Sequence, residues 1–207
     1  MISIRTTKGR RNKIKYRQIL AVVLLALTTN EAHGQTAPRA YTDDDAYKIY
    51  SLLLEPKVLP KNSEFKFVIR REIPLSDSIC VTSPKGEERI YDPVIESYRQ
   101  ANKKQWVLQR KFSTSIPYEL APWESIKAAF GNDGGGSWKE FYKAFPYSNG
   151  YLDFSAVGFN SNKTIAIVKY GFACGGLCAG SSYHFFRKTN GTWAEFAWKG
   201  TACSFAA

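Results

Sequence analysis

Histidine is nearly absent from this sequence: there are two in 207 residues, and one of them, His33, falls in the N-terminal segment considered below. That scarcity excludes more than any other feature. Zinc hydrolase sites draw on several histidines, and no His-Glu-x-x-His run is present. A serine triad could use His184 with Ser181 or Ser182 and with Asp153 as the orienting carboxylate, yet the Gly-x-Ser-x-Gly nucleophile elbow is missing. The run Gly131-Asn-Asp-Gly-Gly-Gly136 is followed by no Lys-Ser or Lys-Thr, so it is not a phosphate loop. Long apolar runs are missing too. The uncharged stretch Ile19 to Leu27 is about half of the roughly 20 residues that a membrane-spanning helix requires.

A short apolar run behind a basic N-terminus is instead the pattern of a secretory signal. Arg5, Lys8, Arg10, Arg11, Lys13, Lys15 and Arg17 precede it, and the polar stretch that follows ends in Ala32-His33-Gly34. Small residues at the −3 and −1 positions predict cleavage before Gln35, with the mature protein in the periplasm or outside the cell. The charge divides accordingly. Of 29 basic and 18 acidic residues, residues 1–34 hold seven and one, so the formal +11 of the whole chain falls to +5 (22 against 17) on residues 35–207. That is an ordinary solubility charge, and nucleic-acid binding loses its main support.

The remaining 173 residues are enough for one domain with a sizeable core, placed at 42–207 behind a disordered arm at 35–41. All four cysteines, Cys80, Cys174, Cys178 and Cys203, lie in this part, and an even number in an oxidising compartment predicts two disulfides with three connectivities open. Cys174–Cys178 with Cys80–Cys203 is favoured, because the first pair is adjacent and its glycines let the loop bend.

Along the chain, Thr42 ahead of Asp43, Asp44 and Asp45 predicts a capped helix carrying Ala46, Ile49, Tyr50 and Leu53 on one face and stopped by Pro56. Phe65, Phe67 and Ile69 alternate with Lys66 and Arg70 as a strand, with Val68 out of pattern. Asp92-Pro93 predicts the start of a second helix with Val94, Ile95 and Tyr98 inward. Trp106-Val107-Leu108 fits a helix or a short strand. Two short helices are expected near 122–130 and 137–144. From Tyr151 the period becomes two: one strand through Leu152, Phe154, Val157 and Phe159, a second from Thr164 to Tyr170, and a hairpin of 182–187 with 192–198 around Asn190-Gly191. The expected class is α+β, with N-terminal helices packed on a C-terminal four-stranded antiparallel meander.

The segments Tyr147-Ser-Asn-Gly-Tyr151, Val157-Gly-Phe-Asn160, Cys174-Gly-Gly-Leu-Cys178, Tyr183 and Gly191-Thr-Trp193 resemble predicted exported bacterial proteins of uncharacterised function. The resemblance covers residues 147–198 and implies a shared fold and export. It brings no activity, substrate or catalytic residue.

Several constellations remain to be weighed. Cys174 and Cys178 with His184 could hold a soft metal such as copper or act as a redox pair, but their flanks read as a hairpin loop and a structural disulfide is the expectation. No metal or cofactor is expected. Glu140 with Asp153 or Glu195 could serve a hydrolase that works through paired carboxylates, the main enzymatic alternative, although no pair is singled out by spacing. Arg99, Lys103, Lys104, Arg110 and Lys111 surround Trp106, and this basic-aromatic segment is the candidate surface for an anionic envelope glycan or a lipid headgroup. Trp138, Trp193 and Trp198 could stack sugars, although lone tryptophans more often build a core. The leading functional expectation is a non-enzymatic binding or envelope-interaction domain.

Overall fold

A computed structural model describes residues 37–55, 64–76, 79–131 and 137–206. The signal segment and its cleavage site, Pro56 and the glycine run 132–136 lie outside the described residues. Pro38–Ala207 forms one compact unit of α+β class.

The sheet is built on the β-branched and aromatic run that forms β8 (Ile165–Gly175), which turns at Gly176-Leu177 into β9 (Cys178–Thr189). Asn190 (φ 50°) and Gly191 (φ 82°) take the two positive-φ positions of a tight hairpin turn, and β10 (Thr192–Glu195) returns on β9 as expected. β6 (Tyr151–Phe154) pairs antiparallel with β8 on its other side. Here the expected four-stranded meander is corrected. β2 (Phe67–Arg70) and β5 (Tyr118–Ala121) add to β6 in parallel, giving the order β10-β9-β8-β6-β2-β5 in a mixed sheet of eight strands. β7 (Gly158–Phe159) joins β8 and β11 (Phe205–Ala206) joins β9. Val68 broke the alternation because this sheet is covered on both faces, so Val68 and Ile69 are both buried.

On one face lies α1 (Asp44–Leu54), whose Ile49, Tyr50 and Leu54 pack with Phe154, Val168 and Phe186. Its cap is Asp43, not Thr42: Oδ1 of Asp43 accepts from the amides of Asp45 (3.1 Å) and Ala46 (3.2 Å), and its charge faces the positive end of the helix. On the opposite face α2 (Glu88–Asn102) lays Tyr91, Val94, Ile95 and Tyr98 on Ile165, Ile167 and Phe185. This helix starts before the expected Asp92-Pro93. Tyr91 is buried in the first turn beside Trp198, and Pro93, the sixth helical residue, sits on the exposed side, where the Arg89 carbonyl that its missing N–H leaves free faces water. Beyond it on the same face, α3 (Trp123–Ala129) and α4 (Trp138–Ala144) enclose Val68, Ala121, Ile126 and Phe141.

Two further corrections concern short segments. The arm expected to be disordered through residue 41 is ordered from Pro38: β1 (Arg39–Ala40) pairs with β4 (Trp106–Val107), which in turn pairs with β3 (Glu72–Ile73), and Tyr41 is buried. Trp106-Val107 is therefore strand. The single strand expected over 152–159 is broken at Ser155-Ala156-Val157. There side chains capture the backbone: Tyr50 donates to the Ser155 carbonyl (2.8 Å), Asn102 bonds both peptide groups of Ala156, and the Val157 amide donates to the Tyr41 hydroxyl (2.9 Å).

Candidate functional site

Strand parity decides which side chains meet. Leu152 and Phe154 of β6 point into the α1 core, so Tyr151 and Asp153 face the other way, toward the α2 side. Val68 is the register partner of Tyr151, and Arg70, two residues on, shares that face beside Asp153. Asp153 is opposite Gly171, Gly171 opposite Ser181, and Ser181 opposite Phe205 of β11. The adjoining row is Tyr151, Ala173, Ala179. The small residues of these rows leave the sheet bare, and a cleft of about 410 Å³ opens over them, walled by Tyr98, Lys169 and Ser155 on the α2 side, by Arg70, and by Phe172 and Phe205 at the rim. At Gly171 a Cβ would stand 2.5 Å from Oδ1 of Asp153, so a side chain there would displace the carboxylate.

The polar groups of this cleft are unusual in what they lack. Arg70 Nε and the Tyr98 hydroxyl are the buried side-chain polar atoms without a hydrogen-bond partner among the described residues, and both residues line the cleft. Buried donors are nearly always paired, and an unmet one costs about 1–3 kcal/mol. The hydroxyls of Ser155 and Tyr183 interact with that of Tyr98 without reaching hydrogen-bond geometry, and burial is the chief cause of its raised pKa. The Arg70 guanidinium stacks on Trp123, 4.1 Å from the ring centroid, and burial lowers its pKa against the pull of Asp153 and Glu72. Burial likewise raises the Asp153 carboxyl above its ordinary value, opposed by Arg70 and Lys169. The Lys169 ammonium lies 5.9 Å from the centre of the Tyr183 ring. Donors therefore outnumber acceptors.

Other hollows differ in this respect. In a groove of about 640 Å³ beside α1, Lys111 pairs with Asp44 at 2.8 Å and Lys48 with Asp45 at 3.3 Å.

Asp153 and Ser181 of the residues singled out from sequence line this cleft, and the basic-aromatic segment falls elsewhere. Arg99 pairs with Glu96 on α2, Lys103 and Lys104 are exposed just past its end, and Arg110 donates to the Tyr118 carbonyl. Trp106 is no exposed platform. It is half-buried in β4, donates from Nε1 to the Ala101 carbonyl (2.8 Å) and meets Tyr41 edge-on. Trp193, Trp198 and Trp138 belong to three separate clusters, so they form no common stacking surface.

The cysteines form Cys80–Cys203 and Cys174–Cys178, the favoured pairing. Both thiols of the copper or redox alternative are thereby bonded to each other. His184 is occupied as well: its Nε2 lies 2.8 Å from the Ser182 hydroxyl and its Nδ1 2.6 Å from Glu195 Oε1. The carboxylate beside it is thus Glu195, not Asp153, which lies on the opposite sheet face. Of the carboxylates weighed for a hydrolase, Glu140 is exposed on α4 and paired with Lys143, Asp153 lines the cleft, and Glu195 is engaged by His184 on the other sheet face. Among the described residues no group of three His, Cys, Asp or Glu side chains could hold a metal ion, and no helix is long and apolar enough to cross a membrane.

No protein-family model, curated protein or solved structure matches this chain.

Arg70, Lys169 and Tyr98 were not singled out from the sequence. Arg70 carried the one usable signal, a charge in a strand whose neighbours Val68 and Ile69 are both apolar.

Proposed function

We propose that this chain is an exported binding protein whose cleft over β6, β8 and β9, beside α2, takes a small anionic ligand, most simply a carboxylated sugar unit of an envelope glycan. The observation that carries this reading is the buried, unpartnered Arg70 Nε, in one cleft with Lys169 and the Tyr98 hydroxyl. A carboxylate laid beside Arg70 and Lys169 would meet both positive charges, with Tyr98 and Ser181 as neutral donors and Asp153 free to accept from a sugar hydroxyl. The volume suits a ligand of that size. Export is supported by the N-terminal basic and apolar pattern, by the two disulfides, and by the resemblance of residues 147–198 to exported bacterial proteins. The engagement of Glu140 by Lys143 and of Glu195 by His184 weighs against the paired-carboxylate hydrolase.

Trp123 lies under the Arg70 guanidinium and serves as the reporter. Titration with glucuronate or galacturonate is expected to give a saturable change in tryptophan fluorescence, with the neutral hexoses at least tenfold weaker. Arg70→Met is expected to abolish the response and to lower the melting temperature, because Asp153 is left buried without its positive neighbour, whereas Arg70→Lys keeps that charge and is expected to weaken the response with the fold retained. Equal binding of acidic and neutral sugars, or anionic vesicles binding where sugars do not, would transfer the site to another ligand class. A flat titration with all of them would remove the cleft from consideration.

A further inference from the structure

On the opposite face of the sheet from the cleft, three side chains form a continuous hydrogen-bonded relay. Ser182 and His184 are two apart on β9 and so project on the same side, and the turn at Asn190-Gly191 brings Glu195 of β10 back beside them. The distances are 2.8 Å from the Ser182 hydroxyl to His184 Nε2 and 2.6 Å from Nδ1 to Glu195 Oε1. Glu195 can only accept from Nδ1, which places the ring hydrogen there and leaves the Nε2 lone pair for the Ser182 O–H. That is the order of roles in which a serine hydroxyl becomes nucleophilic.

A second observation places substrate beside it. The register partner of Ser182 across β8 is Tyr170, whose ring also stands edge-on to His184. Tyr170 lines a mostly apolar cavity of about 370 Å³ together with Phe65, Phe67, Leu152 and Phe172, with Lys66 and Asn149 as its polar lining. Ser182 and His184 are themselves only half-buried, so the relay is reachable from solvent.

We propose that Ser182, His184 and Glu195 constitute an acyl-transfer site for short-chain esters, with the acyl chain in this apolar cavity. Ser182 Oγ bonds to the acyl carbon as its proton passes to Nε2. The tetrahedral adduct then breaks the ester C–O bond, and the leaving alkoxide takes the proton from Nε2. Water attacks the acyl-serine, its proton going to Nε2, and cleavage of the C–Oγ bond returns that proton to Ser182 and releases the carboxylic acid. Ser182 and His184 are the catalytic residues. Glu195 is a positioning residue that holds the tautomer.

The test begins with the unmodified, disulfide-intact protein and needs no variant. Exposure to p-nitrophenyl butyrate and to a fluorophosphonate, followed by peptide mapping, is expected to place one adduct on Ser182, with a burst of p-nitrophenol equal to the protein concentration. General-base activation is worth on the order of 10²–10⁴-fold, so acylation at least 100-fold faster than of a serine in an unstructured peptide is expected. Ser182→Ala is expected to lose the burst with its melting temperature retained. Glu195→Gln should lower the acylation rate tenfold or more without changing the KM for butyrate ester, and Glu195→Asp should restore part of that rate. Absence of an adduct, an adduct on another residue alone, or acylation of Ser182 no faster than in the peptide overturns the proposal.

Discussion

Replacing Cys80 and Cys203 together by alanine is expected to lower stability by about 4 kcal/mol, seen in calorimetry as a fall in melting temperature of roughly 8–16 °C. The two cysteines are 123 residues apart, and closing a loop of that length removes nearly 5 kcal/mol of chain entropy from the unfolded state by the loop-closure relation, against about 2 kcal/mol for the four-residue separation of Cys174 and Cys178. The long bridge also holds a tail that little else holds. Around it the Cys203 amide donates to the Cys80 carbonyl (3.0 Å), the Thr82 amide to the Thr201 carbonyl (3.0 Å), and Val81 bridges Ala202. Past it lies β11, whose Phe205 forms part of the cleft rim. Loss of the bridge therefore reaches the cleft as well. Hydrogen exchange is expected to show β11 opening before the rest of the sheet, while Cys174→Ala with Cys178→Ala leaves β11 protected and costs about half as much.

Asn102→Ala is the single substitution expected to cost most, about 3–5 kcal/mol, or a fall of roughly 6–20 °C in melting temperature. Asn102 is fully buried at the end of α2. Its Nδ2 donates to the carbonyls of Tyr98 (2.8 Å) and Ala156 (3.0 Å), and its Oδ1 accepts from the Ala156 amide (2.8 Å). The side chain therefore satisfies both peptide groups of Ala156 at the point where the chain leaves β6 and enters β7. Alanine would leave both unmet in the interior, along with a void. Asn102→Asp is expected to be at least as damaging, because a carboxylate there cannot donate to the Ala156 carbonyl and would bury a charge. A change of less than 1 kcal/mol in a denaturant titration would mean that the 155–157 break finds other partners, water among them.

These two predictions differ in how far the sequence foresaw them. The pairing of Cys80 with Cys203 was favoured by the adjacency of the other two cysteines. Nothing local marked Asn102: it lies at the end of a helix, where an asparagine is unremarkable, and its partner is 54 residues away. The same divide runs through the candidate sites. His184 stood out as the sole histidine beyond the signal segment, and Ser182 as its neighbour two positions back. Glu195 took the place first assigned to Asp153 because the hairpin at Asn190-Gly191 sets which carboxylate returns on that side, whereas Asp153 projects from β6 to the other face.

By itself the sequence determined what short-range chemistry decides. The helix opened by three aspartates, the two short helices near 123 and 138, the Asn190-Gly191 hairpin and the α+β class all depend on residues within a few positions of one another or on a count, whereas of three possible cysteine pairings the sequence only favoured the one that forms. Only the tertiary structure decided that β2 and β5 extend the sheet in parallel, that one strand breaks at Ser155, and that Arg70, Tyr98, Asp153 and Lys169 share a cleft. Those outcomes depend on register and on which face each side chain takes. A one-residue shift in pairing reverses every face of a strand, and the shift is set by partners 50 to 100 residues distant.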